Sequence, residues 1–267
     1  MSSDQTLRIN SFQRLGQGHP VVLLHGFAED HRIWEQQAGD LSKQYTVLLP
    51  DLPGTRDGIL LSECSIDGMA RALHEWLQQE ASGPVVLLGH SMGGYIGLAF
   101  AEHFPHALAG LGLIHSTAAA DSDEKKENRR KSIRLIEREG REVFLRNMVP
   151  NLYAPSRRDA LSSAIGKHLD MALEVSPPTL TAYYRAMIAR PDRQLVLSNL
   201  QVPGLFVIGR EDQAVPWQEA LAQSILPQQA MVELLEDTGH TSMLECPERL
   251  SGILNNFCQY VWQGKNP

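Results

Sequence analysis

Val85-Val86-Leu87-Leu88-Gly89-His90-Ser91-Met92-Gly93-Gly94 decides the fold. Four consecutive apolar residues read as a short strand covered on both faces, and the stretch from Met92 to His103 has helical spacing. Between them stands G-x-S-x-G, the strand-turn-helix elbow in which a serine takes a strained backbone conformation and projects Oγ above the sheet. Gly89 and Gly93 are required on either side because a Cβ there would collide with the neighbouring strand and helix. A serine in an ordinary tight turn would need neither the strand before it nor the helix after it.

Outward from the elbow the same pattern repeats. Val21-Val22-Leu23-Leu24, Tyr45-Thr46-Val47-Leu48-Leu49, Leu111-Gly112-Leu113-Ile114 and Leu205-Phe206-Val207-Ile208 are continuously apolar, and Ala230 to Leu235 adds a late strand. Helical spacing fills Asp30 to Lys43, Ser65 to Glu80, Pro216 to Ile225 and Pro247 to Trp262. Strand and helix alternate, so a mostly parallel twisted sheet with helices on both faces is expected, with Thr6 to Arg14 as an antiparallel edge. The rhythm breaks once. From His115 to about Pro203 the chain reads as helices at Asp121–Glu139, Arg141–Met148, Arg157–Leu173 and Thr179–Ala189, longer than a crossover requires. Residues 1–116 and 191–267 are therefore expected to form an α/β core, and residues 117–190 a mobile helical cap over the strand ends, where open sheets bind ligands.

Composition sets the outer bounds. The chain has 267 residues, 43% hydrophobic and 21% charged, enough for a sizeable core without metal or disulfide. A net charge of −7 repels phosphate backbones and anionic membranes, so neither nucleic acid nor membrane is an expected partner. Met1 to Arg8 carries no basic region followed by an apolar run, which points to a cytoplasmic protein. Cys64, Cys246 and Cys258 read as reduced thiols. His103-Phe104-Pro105-His106 has the look of a ligand pair, but Pro105 ends the helix that would align the rings, and no metal or other cofactor is expected.

A serine hydroxyl is a poor nucleophile until a base takes its proton and a carboxylate orients that base. Asp212 follows the strand Leu205–Ile208, and His240 follows the strand ending at Leu235. Ser91, Asp212 and His240 thus occur in the chain order that an elbow serine requires. Glu211 is adjacent to Asp212, but the register from Gly209 favours the aspartate. A tetrahedral intermediate also needs N–H donors, and the backbone amides of Phe27, in the turn His25-Gly26-Phe27, and of Met92 are the natural oxyanion pair.

These motifs resemble the α/β-hydrolase superfamily, in the capped subgroup of small esterases, enol-lactonases, haloperoxidase-like enzymes, carbon–carbon bond hydrolases and menaquinone thioesterase-like enzymes. The resemblance covers His25-Gly26-Phe27, Asp51-Leu52-Pro53-Gly54, the elbow, Pro203 through Pro216, and Gly239-His240 onward. It implies an α/β-hydrolase fold and acyl transfer through Ser91. A serine there also argues against haloalkane dehalogenase and epoxide hydrolase chemistry, which uses aspartate. The sequence departs from the pattern at Gly54-Thr55-Arg56-Asp57-Gly58, and no binding role is assigned to that loop. Three functions follow: hydrolysis of a small carboxylic ester, thioester or lactone; carbon–carbon bond hydrolysis by the same triad; or a ligand sensor that retains the triad.

The small-molecule pocket is expected to draw on Phe27, Trp34, His115, Phe144, Met148, Tyr183, Tyr184 and Met187. Lys126, Arg130 and Arg134 form an i, i+4, i+8 stripe that would suit an anionic substrate, but such a run reads first as a solvated helix face. Oligomeric state leaves no signature in the sequence.

Overall fold

The computed structural model describes residues 8–56, 60 and 64–263, and in it each apolar run splits by parity between two layers. Seven strands make one sheet: β1 (Phe12–Leu15), β2 (Pro20–Leu24), β3 (Thr46–Pro50), β4 (Val85–His90), β5 (Leu108–Ile114), β6 (Gly204–Gly209) and β7 (Ala230–Leu235), in the order β1-β3-β2-β4-β5-β6-β7. β1 runs antiparallel to β3, and every other neighbouring pair is parallel. Val21 and Leu23 share one apolar layer with Val47, Leu49, Val86 and Leu88. Val22 and Leu24 share the other with Leu48, Leu87 and Leu111. Both faces are covered, which is why the strands are apolar without alternation.

The helices are α1 (Glu35–Leu41), α2 (Ile66–Glu80), α3 (Met92–His103), α4 (Asp123–Glu139), α5 (Arg141–Met148), α6 (Ser162–Glu174), α7 (Pro177–Ala189), α8 (Gln194–Ser198), α9 (Trp217–Gln223), α10 (Ser242–Glu245) and α11 (Pro247–Trp262). α1 and α11 cover one face through Ala38, Leu41, Leu254 and Phe257. α2, α3, α8 and α9 cover the other through Leu73, Ile96, Leu197 and Ala220. Ile136, Leu145, Leu180 and Met187 of α4 to α7 extend that second layer into the inserted region. Serine caps open three of these helices: Ser65, Ser122 and Ser176 accept from the amides of Gly68, Lys125 and Thr179.

From β2 the chain moves out to β3 and then crosses back to β4 on the other side of β2. The carboxyl ends of β2 and β4 therefore flank the point where the winding reverses, the place where open α/β sheets form a crevice. His25-Gly26-Phe27 leaves one of those ends and Ser91 the other.

Some boundaries differ from the sequence reading. The edge strand is Phe12–Leu15, and Thr6 and Leu7 of the expected stretch lie outside the described residues, as do Asp57 and Gly58 of the loop after Gly54. The expected helix from Asp30 divides into a 3-10 turn, His31–Trp34, capped by the Asp30 side chain, and α1. The stretch expected to turn helical at Arg157 does so only at Ser162, because Pro155–Arg157 forms a separate 3-10 turn. Cys64, Cys246 and Cys258 are free thiols, and no helix among the described residues is long and apolar enough to cross a membrane.

A Cβ on Gly93 would lie 2.6 Å from the Leu24 carbonyl oxygen and 2.8 Å from that of His25, whereas one on Gly252, midway along α11, would meet nothing within 4 Å. Gly93→Ala should cost about 1–3 kcal/mol or more, and Gly252→Ala should stabilise by about 0.5–1 kcal/mol. Urea midpoints that move together, or in the opposite order, would contradict this account of the elbow packing.

Candidate active site

Ser91 joins β4 directly to α3 with φ 50° and ψ −112°, a left-handed conformation that costs a non-glycine residue about 1–3 kcal/mol. Its amide donates to the Ile114 carbonyl at 2.9 Å, and its carbonyl accepts from Ser116 Oγ at 2.7 Å. Serine at a helix N-cap ordinarily bonds the first turn. Ser91 makes no such bond, so Oγ is left to a cavity of about 230 Å³ whose wall includes Phe27, Tyr95, Met148, Tyr184, Met187 and His240. Ala28, His115 and Asp237, also at or just beyond strand ends, have positive φ as well.

Asp212 lies three residues beyond β6. Its Oδ1 accepts from the amides of Ala214 and Val215 at 2.8 and 2.9 Å, and its Oδ2 is 2.7 Å from His240 Nδ1. Burial opposes ionisation, but His240 and His115 beside the carboxylate outweigh it and hold the group well below the usual carboxylate range. With Nδ1 carrying its proton toward Asp212, the Nε2 of His240 is the basic nitrogen. Glu211 turns away and accepts from Ser156 Oγ at 2.8 Å. Neither the Phe27 nor the Met92 amide donates a hydrogen bond among the described residues.

Of the expected pocket residues, Phe27, Met148, Tyr184 and Met187 line the cavity, and the others do not. His115 stands behind the acid instead of facing the cleft, with Nε2 2.7 Å from Ser242 Oγ and Nδ1 3.6 Å from Asp212 Oδ2. Its φ of 50° redirects the side chain from the course the strand would give it. Tyr183 and Tyr184 are adjacent on α7 and diverge by about 100°, so only one can face the cavity. Tyr183 buries its ring and donates its hydroxyl to the Pro53 carbonyl at 2.9 Å. Phe144 packs edge-on behind Phe27 and Tyr184, and Trp34 lies edge-on to the His90 ring.

The sequence reading passed over two buried carboxylates. Glu29 Oε2 accepts from the Gly26 amide at 2.7 Å and lies 2.9 Å from His90 Nδ1, while His90 Nε2 is 2.8 Å from the His240 carbonyl. Both ring nitrogens face acceptors, so the bonding requires an imidazolium. Burial opposes the charge on each partner, yet their mutual attraction raises His90 and holds Glu29 down at about 2. Glu245 accepts from the amides of Gly239, Thr241 and Ala154 at 3.0, 3.0 and 2.9 Å. His240 also donates its amide to the Leu152 carbonyl at 2.6 Å. The stretch from Leu152 to Ala154 is therefore bonded to the histidine loop. Nothing in the spacing of Glu29 or Glu245 separates them from surface acids.

The stripe Lys126, Arg130 and Arg134 lies on the outer side of α4, with both arginines paired to Glu127. The adjacent pair, Lys125 and Arg129, lines the cavity. Lys125, Arg129, Ile133 and Ile136 share one helical face, and the two buried isoleucines are the sequence signal that would have phased it.

The profile of the alpha/beta hydrolase family matches residues 21–253, and the chain belongs to that family. A solved thermophilic esterase from Thermogutta terrifontis, with malate bound, is 31% identical, with 96% of this chain and 97% of the esterase covered and a TM-score of 0.90. A monoacylglycerol lipase from Bos taurus is 26% identical over 285 residues, spanning 95% of this chain and 79% of the lipase. An enol-lactonase from Burkholderia xenovorans LB400, 19% identical with a TM-score of 0.85 over 94% of this chain and 98% of that one, shares the fold.

His168 of α6 sits 3.6 Å from Glu29 Oε1 with Nε2 unbonded, and burial pushes its pKa from the usual 6.5 to about 4. The folded protein keeps it neutral where the unfolded chain protonates it. Its contribution is thus present above pH 6.5 and is lost as pH falls toward about 4, on the order of 3 kcal/mol in all. Glu29 loses its own contribution lower, from about 4.5 down to about 2. His168→Gln should flatten the urea midpoint between pH 6.5 and 4.5, and an unchanged slope would place the titration elsewhere.

Proposed function

We propose that the protein is a serine hydrolase that cleaves a small carboxylic ester, thioester or lactone through an acyl-enzyme on Ser91. The observation that carries this reading is one shared cavity. Ser91, at its positive-φ elbow, and His240, held 2.7 Å from Asp212, open onto the same 230 Å³ space. The esterase and lipase relatives support the same chemistry.

In this mechanism His240 Nε2 takes the Ser91 proton as Oγ attacks the substrate carbonyl carbon, and the carbonyl π pair moves onto oxygen. The Phe27 and Met92 amides stabilise that oxyanion, helped by the positive end of α3. Collapse breaks the bond to the leaving group, which receives the proton from His240. Water then attacks the acyl-enzyme with His240 again as base, and the acid and free Ser91 are released. Asp212 stays ionised throughout and stabilises the transient imidazolium, a role that its depressed pKa suits. Leu152 to Ala154 hold the histidine loop from the other side.

A fluorophosphonate should label Ser91, and Ser91→Ala should abolish labelling and lower ester turnover by at least about 10⁴-fold. Asp212→Asn should cost about 10⁴-fold, against less than about tenfold for Glu211→Gln. A folded protein unlabelled at Ser91 would remove the nucleophile from this scheme, and a reversed ranking of the two acids would reassign the orienting carboxylate.

A further inference from the structure

The wall of the catalytic cavity carries two cations, Lys125 and Arg129, and a single carboxylate. Glu29 is the one carboxylate among the lining residues, and it is engaged by His90. Asp121, just behind the wall, is shared between two guanidinium groups, at 2.6 Å from Arg129 Nε and 2.8 Å from Arg190 Nη1. One negative charge thus serves Arg129 and Arg190, and Lys125 adds a third positive charge. Arg190 does not line the cavity; it donates to the Met187 and Ala119 carbonyls and lies 3.9 Å over the Tyr95 ring. Arg129 lines the cavity with its guanidinium 5.5 Å over the Tyr184 ring, and its Nη1 donates to no described residue. Lys125 gives one hydrogen to the Ala214 carbonyl at 2.9 Å and keeps two. Ala214 donates its own amide to Asp212, so the ammonium is anchored on the loop of the acid.

We propose that Lys125 and Arg129 form a carboxylate subsite, so that the substrate is a small ester or lactone bearing a second, ionised carboxylate. This rests on the reading of Ser91 as nucleophile. The cations on this wall and Arg190 behind it carry more positive charge than Asp121 offsets, and a carboxylate from the ligand supplies the balance through charge-assisted hydrogen bonds. Tyr95 reports the field on the same wall: burial opposes ionisation of its phenol, yet Arg190, Lys125 and Arg129 bring it below the usual tyrosine range. The cations line the cavity itself, so the charge they meet belongs to the part of the substrate that enters beside Ser91.

The test uses the full chain and three methyl esters of matched length: monomethyl glutarate, methyl valerate and methyl 5-aminovalerate. The wild type should favour the anionic ester over the neutral one by about tenfold or more in kcat/KM, with the cationic ester last and the preference shrinking in high salt. Lys125→Met and Arg129→Met should each remove most of that preference, chiefly through KM, and Arg129→Lys should keep more of it than Arg129→Met. Glutarate should also slow fluorophosphonate labelling of the wild type more than of either methionine variant. The wild-type comparison does not depend on any variant folding. Ser91 labelling without an anionic preference and without protection by glutarate overturns the subsite alone. A folded protein that is not labelled overturns the nucleophile reading and the subsite with it.

Discussion

A left-handed backbone at Ser91 is the constraint on which the surrounding structure depends, because it is unfavourable and has to be over-determined by neighbours. The amide is taken by β5 and the carbonyl by Ser116. The helix that follows comes so close to β2 that Gly93 would press any Cβ into the carbonyls of Leu24 and His25. That closeness keeps the Phe27 turn beside the first turn of α3, which puts two amides and one hydroxyl at the same strand ends. Those neighbours come from β2, β4 and β5, adjacent in the sheet but separated in the chain. The elbow therefore requires the parallel sheet to be formed around it.

Buried charge supplies the second level of order. The Glu29–His90 pair joins the β2 turn to the residue before the serine, and His90 continues to the His240 carbonyl. Glu245 gathers the histidine loop and Ala154 around one carboxylate. Removing one member of such a group strands a charge or several amides in a dry interior, which costs far more than the intact pair contributes. These contacts fix relative positions, and the part of the inserted region that they hold is the part nearest His240.

Most of the architecture was legible because it follows from short-range rules. Doubly covered strands such as Val21–Leu24 are apolar at every position, and Ser91, Asp212 and His240 announce themselves by chain order after strand ends. Side-chain direction was less legible. The positive φ at His115 redirects a ring that strand geometry alone would have aimed at the cleft. Two neighbouring tyrosines on α7 gave no sign of which faced inward. Glu29 and Glu245 resemble surface acids because burial of a carboxylate depends on partners distant in the chain.

α4 shows how such a division of labour is written. Its inward stripe begins as Lys125 and Arg129 above the cavity and continues as Ile133 and Ile136 in the apolar layer of the inserted region, so a single helical phase sets both packing and cavity charge. The isoleucines hold that phase. With it fixed, the residue type at positions 125 and 129 sets the charge on that wall, and Lys125 also bonds the Ala214 carbonyl beside Asp212. The strand ends and the inserted helix therefore constrain different properties, one the positions of Ser91, Asp212 and His240 and the other the charge on the cavity wall.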